Sequence, residues 1–202
     1  MYIHSEGGKD IFVAKFDTAG GLLWVKTMGG SQDDFGKAIA TDGQNNIYLA
    51  GEFWYTVDFD ASSNSLEIQS NGRTDVFIQK LDQFGNMIWT KTLGGSEPEY
   101  LGALAVHENG DVFILHTEDN TSDDLFITEY SSSGDIVFEK TMVGDFYRNY
   151  YDLLVDDQKN LYIALTYLNS LNVEGVVEPF VAVGSYDISY QKLSTDCQAQ
   201  AL

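Results

Sequence analysis

The sequence contains few of the residues that stabilise a small fold from outside its own core. One cysteine, Cys197, occurs in 202 residues, so an internal disulfide is excluded. The three histidines, His4, His107 and His116, show no zinc-ligand spacing. Proline occurs twice, and no apolar run reaches the ~18 residues that a membrane-spanning helix needs. These absences predict a chain without disulfides, without a histidine-based zinc site and without a membrane span.

Positive charge is also scarce: 11 Lys and Arg stand against 31 Asp and Glu, giving a net charge of −20. A chain this acidic repels phosphate backbones, so nucleic acid and anionic membranes are excluded as partners. Calcium, cationic partners and neutral glycans are compatible with it. Residues 1–10 lack the basic start and apolar stretch of a signal peptide. The 44% of apolar residues, with 12 Phe, 12 Tyr and 3 Trp, exclude intrinsic disorder.

The dominant feature of the chain is an internal repeat. Residues 10–52 and 75–117 align over 43 positions with 13 identities. A third copy begins at Asp124, a weaker fourth one at Pro179, and Tyr2–Glu6 matches the second strand of a preceding copy. Because the chain repeats itself at this interval, we expect one structural unit to recur along it.

Each repeated element is short, rich in β-branched and aromatic residues and bounded by Gly, Asn or Asp, which predicts an all-β fold. Phe12, Phe77 and Phe126 share one strand face, and the opposite face is also apolar. A strand that is apolar on both faces must be covered on both sides. The pattern therefore predicts four-stranded antiparallel blades of a β-propeller, with these three phenylalanines superposed and buried.

One string of motifs resembles a known family. Thr56-Val-Asp-Phe-Asp60, Asp75-Val-Phe-Ile-Gln-Lys-Leu-Asp82 and Trp89-Thr-Lys-Thr-Leu-Gly-Gly95 follow one another as in the SBBP repeat, the seven-bladed β-propeller repeat of secreted and cell-surface bacterial proteins. The resemblance covers residues 2–166 well and 178–195 weakly. It implies a propeller and an extracellular or cell-surface location. It implies no catalytic residues, because the family has no uniform chemistry.

The repeats predict about four blades in a single repeat region spanning residues 1–202. A partial blade occupies 1–30, full blades occupy 35–95, 100–144 and 149–194, and a tail occupies 195–202. Either Cys197–Leu202 supplies the missing inner strand and closes a small ring, or the chain is an open arc of a larger propeller. An open arc exposes apolar faces, which predicts self-association.

The length variation between repeats is concentrated in one connection, between the second and third strands, and is greatest at residues 53–74. Insertions clustered on one face typically mark a binding face. Trp54 and Tyr55 open the longest insertion and either contact a sugar or protein ligand or pack the loop onto the propeller. The predicted ligand-binding face comprises Trp54, Tyr55, Asp33, Asp34, Glu97 and Glu99.

Residues 58–64 resemble the first half of a calcium loop. Asp58, Asp60, Ser62 and Asn64 place oxygen atoms at alternate positions, and calcium prefers six to eight oxygen ligands. The loop departs from the pattern at Ser63 and Gln69, where glycine and glutamate are expected. The alternative is a strand that points Val57 and Phe59 inward and ends in a Ser/Asn turn. Calcium is the only cofactor that the sequence suggests.

The sequence contains no Gly-x-Ser-x-Gly elbow and no phosphate-binding glycine loop. The predicted function is therefore a non-enzymatic binding module of an exported or cell-surface protein, which engages a protein or a glycan through the insertion-bearing face. The alternative is a glycan hydrolase or lyase that uses acidic residues near the propeller axis.

Overall fold

The computed structural model describes residues 2–60, 62, 64–118, 124–173, 180–181 and 187–194; for 145–150 and from 167 onward it describes the backbone alone. Thirteen β-strands and no α-helix occur in these residues, and all strand pairs are antiparallel. The all-β prediction is confirmed. Within the same ranges no helix has the length and apolar character needed to cross a membrane.

Two complete four-stranded units lie in the middle of the chain. The first contains β3 (Phe35–Thr41), β4 (Ile47–Asp58), β5 (Glu67–Leu81) and β6 (Met87–Leu93), paired in that order. The second contains β7 (Glu99–Val106), β8 (Val112–Glu118), β9 (Leu125–Tyr130) and the first part of β10 (Ile136–Val155). Consecutive strands are neighbours throughout, as the repeated turn signals predict.

The unit at the N-terminal end contains only the hairpin of β1 (Ile11–Phe16) and β2 (Leu22–Gly30). The predicted strand at residues 2–6 is wrong, because residues 2–10 contain no strand. In the complete units a second strand is held between two neighbours. In the described residues no strand pairs with residues 2–6, and His4 and Glu6 line a cavity beside the end of β2.

The third unit follows the second without a break, because the last part of β10 is its first strand. β11 (Asn160–Val173) pairs with it, and β12 (Phe180–Val181) contacts only the far end of β11. The third strand is β13 (Asp187–Ser194), which pairs with β11 from Asn160 to Tyr167. The third strand therefore lies later than the predicted start at Pro179, and Asp187-Ile-Ser-Tyr-Gln-Lys-Leu-Ser194 repeats the spacing of Asp75–Asp82.

The longest insertion is a hairpin that extends β4 and β5 beyond the body of their unit. Val57 pairs with Ile68 on β5 and also with Gly30 at the end of β2. The extended part of β11 pairs in the same way with Met142–Gly144 of β10. Each insertion thus joins its own unit to the outer strand of the preceding unit.

Both faces of β5 are buried around Phe77, and Phe77 itself has no exposed surface. The other two repeated phenylalanines are not fully buried. Phe12 is 65% exposed and Phe126 is half-buried. The prediction that all three are buried is therefore wrong. Among the described residues β1 pairs with β2 alone, which leaves Phe12 uncovered. Phe126 lies on a strand paired on both sides, but its ring lines an open cavity beside Glu97 and Glu99 and is therefore not enclosed as Phe77 is.

Candidate functional site

The antiparallel order of the strands assigns every connection to one of two opposite edges of the units. One edge, called here the insertion face, carries the connections 31–34, 59–66 and 94–98. The opposite edge, called the turn face, carries six five-residue turns. These begin at Asp17, Asp42, Asp82, His107, Ser131 and Asp156. The predicted binding residues all belong to the insertion face.

Trp54 and Tyr55 lie at the base of the insertion hairpin and differ in exposure. The Trp54 ring packs edge-on against Phe35, with the ring centroids 5.5 Å apart. Tyr55 is 56% exposed and has a left-handed φ of 55°, and its backbone N–H donates to the Ser70 hydroxyl at 3.0 Å. Trp54 therefore fixes the hairpin on the unit, whereas the Tyr55 ring faces solvent.

Asp33 and Asp34 have different environments although they are adjacent. The Asp33 carboxylate is partly exposed and lies 3.2 Å from the Lys9 ammonium; hydrogen bonds from the Lys9 backbone and side chain lower its pKa. Asp34 is 1% exposed, and it accepts hydrogen bonds from the Gly30 and Trp54 backbone N–H groups at 3.0 and 3.1 Å. Burial raises the pKa of Asp34 to about 6. Asp34 therefore holds the loop together and Asp33 faces solvent.

Glu97 and Glu99 repeat this contrast in the next unit. Glu97 is exposed, whereas Glu99 is 3% exposed. The Glu99 Oε1 atom accepts a hydrogen bond from the Gly95 backbone N–H at 2.7 Å, and its Oε2 atom is buried without a hydrogen-bond donor in the described structure. Burial raises the pKa of Glu99 to about 7, and the negative charges of Asp75 and Glu118 contribute to this rise.

Asp75 is a functional candidate that the sequence analysis missed. Its side chain is fully buried, its Oδ2 atom accepts the Asn71 N–H at 2.9 Å, and burial raises its pKa. The Oδ1 atom has no hydrogen-bond partner in the described residues. The available signal was the Asp that opens the first two copies, Asp10 and Asp75, together with the Gly-Gly pair that ends the hairpin of each.

The glycine pair is explained by this aspartate. A Cβ atom on Gly94 would lie 2.2 Å from the Asp75 carboxyl carbon, and one on Gly29 would lie 2.3 Å from that of Asp10. Only glycine allows a carboxyl group to pack so closely on the backbone. The repeat therefore packs a carboxyl group against the glycine pair in two successive units, fully buried at Asp75 and partly buried at Asp10.

A cavity of about 610 Å³ opens beside Glu99. It lies between the connection from β6 to β7 and the ends of β8 and β9. Its described lining contains four acidic side chains and no basic one. The lining residues are Leu93, Gly94, Gly95, Ser96, Glu97, Glu99, Glu118, Asp124 and Phe126.

The predicted calcium ligands direct oxygen atoms at their own backbone. Asp58 accepts the N–H groups of Asp60 and Leu66, Asp60 accepts that of Ser62, and Ser62 accepts that of Asn64, at 2.9 to 3.1 Å. Burial acts to raise the pKa of Asp58, but these hydrogen bonds outweigh it and the pKa is lowered.

The surroundings of this loop match the strand-and-turn alternative, since Val57 and Phe59 point inward and are almost fully buried. A cavity of about 210 Å³ lies beside the loop and is lined in part by Asp10, Asp58 and Asp60. Among the residues described, no group of three or more His, Cys, Asp or Glu side chains is arranged to hold a metal ion.

The buried histidine is held as a neutral structural group. His116 is fully buried, its Nε2 atom lies 2.9 Å from the Thr128 hydroxyl, and its ring stacks on Phe126. Burial lowers the pKa of His116 to about 4. The histidine therefore remains uncharged at neutral pH and supports the wall of the acidic cavity through Phe126.

The succession of antiparallel four-stranded units is the architecture expected from the family that the sequence matches. Residues 23–52 match the beta-propeller repeat family SBBP. This match confirms the resemblance found in the sequence, and it covers the end of the N-terminal hairpin and the first two strands of the first complete SBBP-like unit.

Two curated proteins are similar to the chain. Regulatory protein FlaEY of Caulobacter vibrioides is 26% identical over 109 residues, which cover 54% of this chain and 11% of FlaEY. An uncharacterized WD repeat-containing protein of Acanthamoeba polyphaga mimivirus is 22% identical over 134 residues, which cover 59% of this chain and 9% of that protein. The chain spans about a tenth of the length of these relatives.

Proposed function

We propose that the chain is a non-enzymatic protein-interaction module that binds its partner through the insertion face. The observation that carries this proposal is the insertion hairpin of β4 and β5, which presents the exposed Tyr55 at the same edge of the units as the solvent-facing Asp33 and Glu97. An exposed aromatic residue surrounded by polar groups is typical of a binding hot spot. The names of the two relatives, a regulatory protein and a WD repeat-containing protein, are compatible with such a role.

The proposed architecture is an arc of β-propeller blades rather than a closed ring. In support of the arc, β1 has one paired edge in the described structure, and Phe12 and Ile39 expose apolar surface beside it. Such a surface favours further blades or a second copy of the chain. We also propose an exported or cell-surface location, which rests on the resemblance to the SBBP family alone.

Selection of binders from a displayed random peptide library tests the interaction module. Peptides selected on the wild-type protein are expected to lose binding to Tyr55→Ala, because the substitution removes the exposed ring. The matched control is Phe84→Ala, which removes an aromatic ring that is 65% exposed on the turn face. Circular dichroism and thermal unfolding establish that both variants are folded.

Peptides that depend on Phe84 and not on Tyr55 would refute the insertion face as the binding surface. A glycan array, applied to the same three proteins, separates the two ligand classes. If no peptide is selected and the wild type binds a glycan that Tyr55→Ala does not bind, the ligand of the insertion face is a glycan and not a protein.

The alternative of a glycan-active enzyme is not favoured by the site. Glycoside hydrolysis requires two carboxyl groups that both reach the scissile bond. Burial raises the pKa of Glu99, the property expected of a general acid, but Glu99 is only 3% exposed and offers little surface to a substrate in the cavity. Asp75 is enclosed beside Gly94 and has no exposed surface.

A further inference from the structure

A cavity of about 670 Å³ opens on the insertion face, where the connection from β2 to β3 meets the base of the insertion hairpin. Its volume is within the roughly 300–1,000 Å³ of small-ligand sites. The lining residues are Gly8, Ser31, Gln32, Asp33, Phe35 and Trp54. The cavity therefore combines the surface of two aromatic rings with one carboxylate.

Hydrogen bonds fix the main chain on one side of this cavity. The Gly8 N–H donates to the Gln32 carbonyl oxygen at 3.3 Å, and the Lys9 N–H donates to the Asp33 carboxylate at 2.9 Å. The Lys9 carbonyl oxygen in turn accepts the Asp34 N–H at 2.6 Å. These contacts use backbone atoms of Lys9, so the Asp33 carboxylate has an anchor that does not depend on the lysine side chain.

The side chain of Lys9 brings a cation of the chain itself to the cavity. Its ammonium lies 4.8 Å from the centroid of the Phe35 ring and 3.2 Å from Asp33 Oδ2. The Lys9 side chain is nevertheless 68% exposed. Exposed ion pairs and exposed cation–π contacts are weak, because water competes for the charges. The Lys9 ammonium therefore marks a place where a cation fits and from which it exchanges readily.

The charge of the protein determines which group of a partner the cavity attracts. A net charge of −20 attracts cationic partners and repels acidic ones. Phe35 and Trp54 are half-buried, so part of each ring is accessible. A lysine side chain suits this surface, because its ammonium pairs with a carboxylate and a ring face while its methylene groups pack on apolar surface.

We propose that this cavity is a docking site for a lysine side chain of a partner protein, and that Lys9 is an internal competitor for the same site. The incoming ammonium pairs with Asp33 and lies over Phe35, and the Lys9 side chain moves into solvent. This inference rests on the proposed function for the existence of a protein partner and adds the chemistry of its recognition. The exposed Tyr55 follows Trp54 directly and extends the contact along the insertion hairpin.

The test is an NMR titration of the full chain, labelled with ¹⁵N, with a capped pentapeptide that has one lysine between pairs of glycines. The same peptide with Nε-acetyl-lysine is the control, because acetylation keeps the methylene chain and removes the charge. We expect the lysine peptide to shift the amide signals of Gly8, Gln32 and Phe35 with a dissociation constant on the order of 1 mM. The acetylated peptide is expected to leave them unchanged.

Lys9→Gln distinguishes a competitor from a lysine that has only a structural role. The substitution keeps the backbone N–H and carbonyl groups that bind residues 33 and 34, and it removes the ammonium from the site. We therefore expect the lysine peptide to bind this variant roughly three- to tenfold more tightly than the wild type. Lys26→Gln makes the same change in net charge within β2, away from the cavity, and is expected to change the affinity by less than about twofold.

A second pair of variants identifies the carboxylate. Asp33→Asn is expected to weaken lysine-peptide binding about tenfold or more, because the charged acceptor is lost. Glu97→Gln is the matched control, since it removes one negative charge from an exposed position of the same face in the next unit. It is expected to retain the affinity of the wild type. Lys9 is exposed, so its substitution is informative even if the Asp33 variant is unstable.

Each of four outcomes would overturn the proposal. Equal binding of the lysine and acetyl-lysine peptides would show that charge is not recognised. Equal gains for Lys9→Gln and Lys26→Gln would show an effect of net charge without competition. Equal weakening by Asp33→Asn and Glu97→Gln would show non-specific attraction to an acidic face. Library peptides that depend on Tyr55 and require no lysine would leave the proposed function intact and refute this inference alone.

Discussion

The indole nitrogen of Trp89 lies 3.2 Å from the carbonyl oxygen of Ser132, in the outer turn of the following unit. One repeat earlier, Trp24 makes the same hydrogen bond to Gln83 at 3.3 Å. Each indole ring also covers the glycine of that turn, so that a Cβ atom on Gly85 or Gly134 would lie 3.2 Å or less from a neighbouring side chain. The repeated tryptophan is therefore a link between units as well as a core residue.

Trp89→Phe is expected to lower the free energy of unfolding by about 1 kcal/mol, because the hydrogen bond to Ser132 is lost while most ring packing remains. Trp89→Ala removes the packing as well and is expected to cost about 3–5 kcal/mol. Urea denaturation measures both. The natural phenylalanine at the corresponding position, Phe138, provides the precedent for the milder change. Equal losses for the two variants would contradict a separate contribution from ring packing.

Gly94→Ala is expected to destabilise the protein by about 2 kcal/mol or more, because the new methyl group overlaps the buried carboxyl group of Asp75. Gly95→Ala is the matched control, since the nearest atom to its Cβ is Glu99 Oε1 at 3.4 Å. That neighbouring substitution keeps the N–H that Glu99 accepts and is expected to change stability by less than about 0.5 kcal/mol. Thermal unfolding of the two variants side by side distinguishes them, and similar melting temperatures would exclude the steric explanation.

The raised pKa of Glu99 predicts that the protein loses stability as the pH rises. Its folded pKa of about 7 is above its ordinary value of 4.5, so the folded state holds a proton that the unfolded state has released between these values. This contribution is complete below pH 4.5 and is lost as the pH rises through about 7. Burial is the main cause of this shift, and the negative charges of Asp75 and Glu118 add to it.

Glu99→Gln is expected to remove on the order of 1–2 kcal/mol of this pH dependence, measured as the difference between wild type and variant at pH 5 and pH 8. Urea is the appropriate denaturant, because it is uncharged and does not screen the interactions between the carboxylates. His116 acts in the opposite direction, since its lowered pKa destabilises the fold as the pH falls from 6.5 through about 4. Parallel curves for wild type and variant would contradict the assignment to Glu99.

Calcium is expected to raise the melting temperature no more than NaCl at matched ionic strength, because Asp58, Asp60 and Ser62 already accept backbone N–H groups. Asp60→Ala is expected to lower stability equally in both salts by removing the turn contact to Ser62. A larger response to calcium that Asp60→Ala abolishes would instead establish these residues as a calcium site.

The repeat register was the part of the fold that the sequence predicted best. Local patterns that recur in each copy predicted the order of the strands and the positions of the turns. They also predicted the burial of Phe77. The exposure of Phe12 did not follow, because it depends on which strands are available beside β1. The identity of the third strand in the last unit also depends on partners that the sequence does not show. The motif of β13 is present in the sequence, but β11 is long enough to pair with both Phe180–Val181 and Asp187–Ser194.

The sequence analysis placed the candidate site on one face of the units, but it did not distinguish the environments of the carboxylates on that face. Tyr55 and Glu97, which the sequence analysis placed on the insertion-bearing face, are both exposed. The contrast between Asp33 and Asp34, or between Glu97 and Glu99, was not visible, because adjacent acidic residues look alike in sequence. Burial, and not residue type, separates the solvent-facing carboxylates from those that shape the cavity.

The pairing of each insertion with the outer strand of the preceding unit has a consequence for how the molecule unfolds. Val57 contacts Gly30 across one junction, and β10 runs without interruption through another. Neighbouring units are therefore coupled through main-chain hydrogen bonds in addition to side-chain packing, which raises the interface energy relative to the intrinsic stability of a unit. Such an array is expected to melt in a single cooperative transition, with hydrogen exchange equally slow on both sides of each junction.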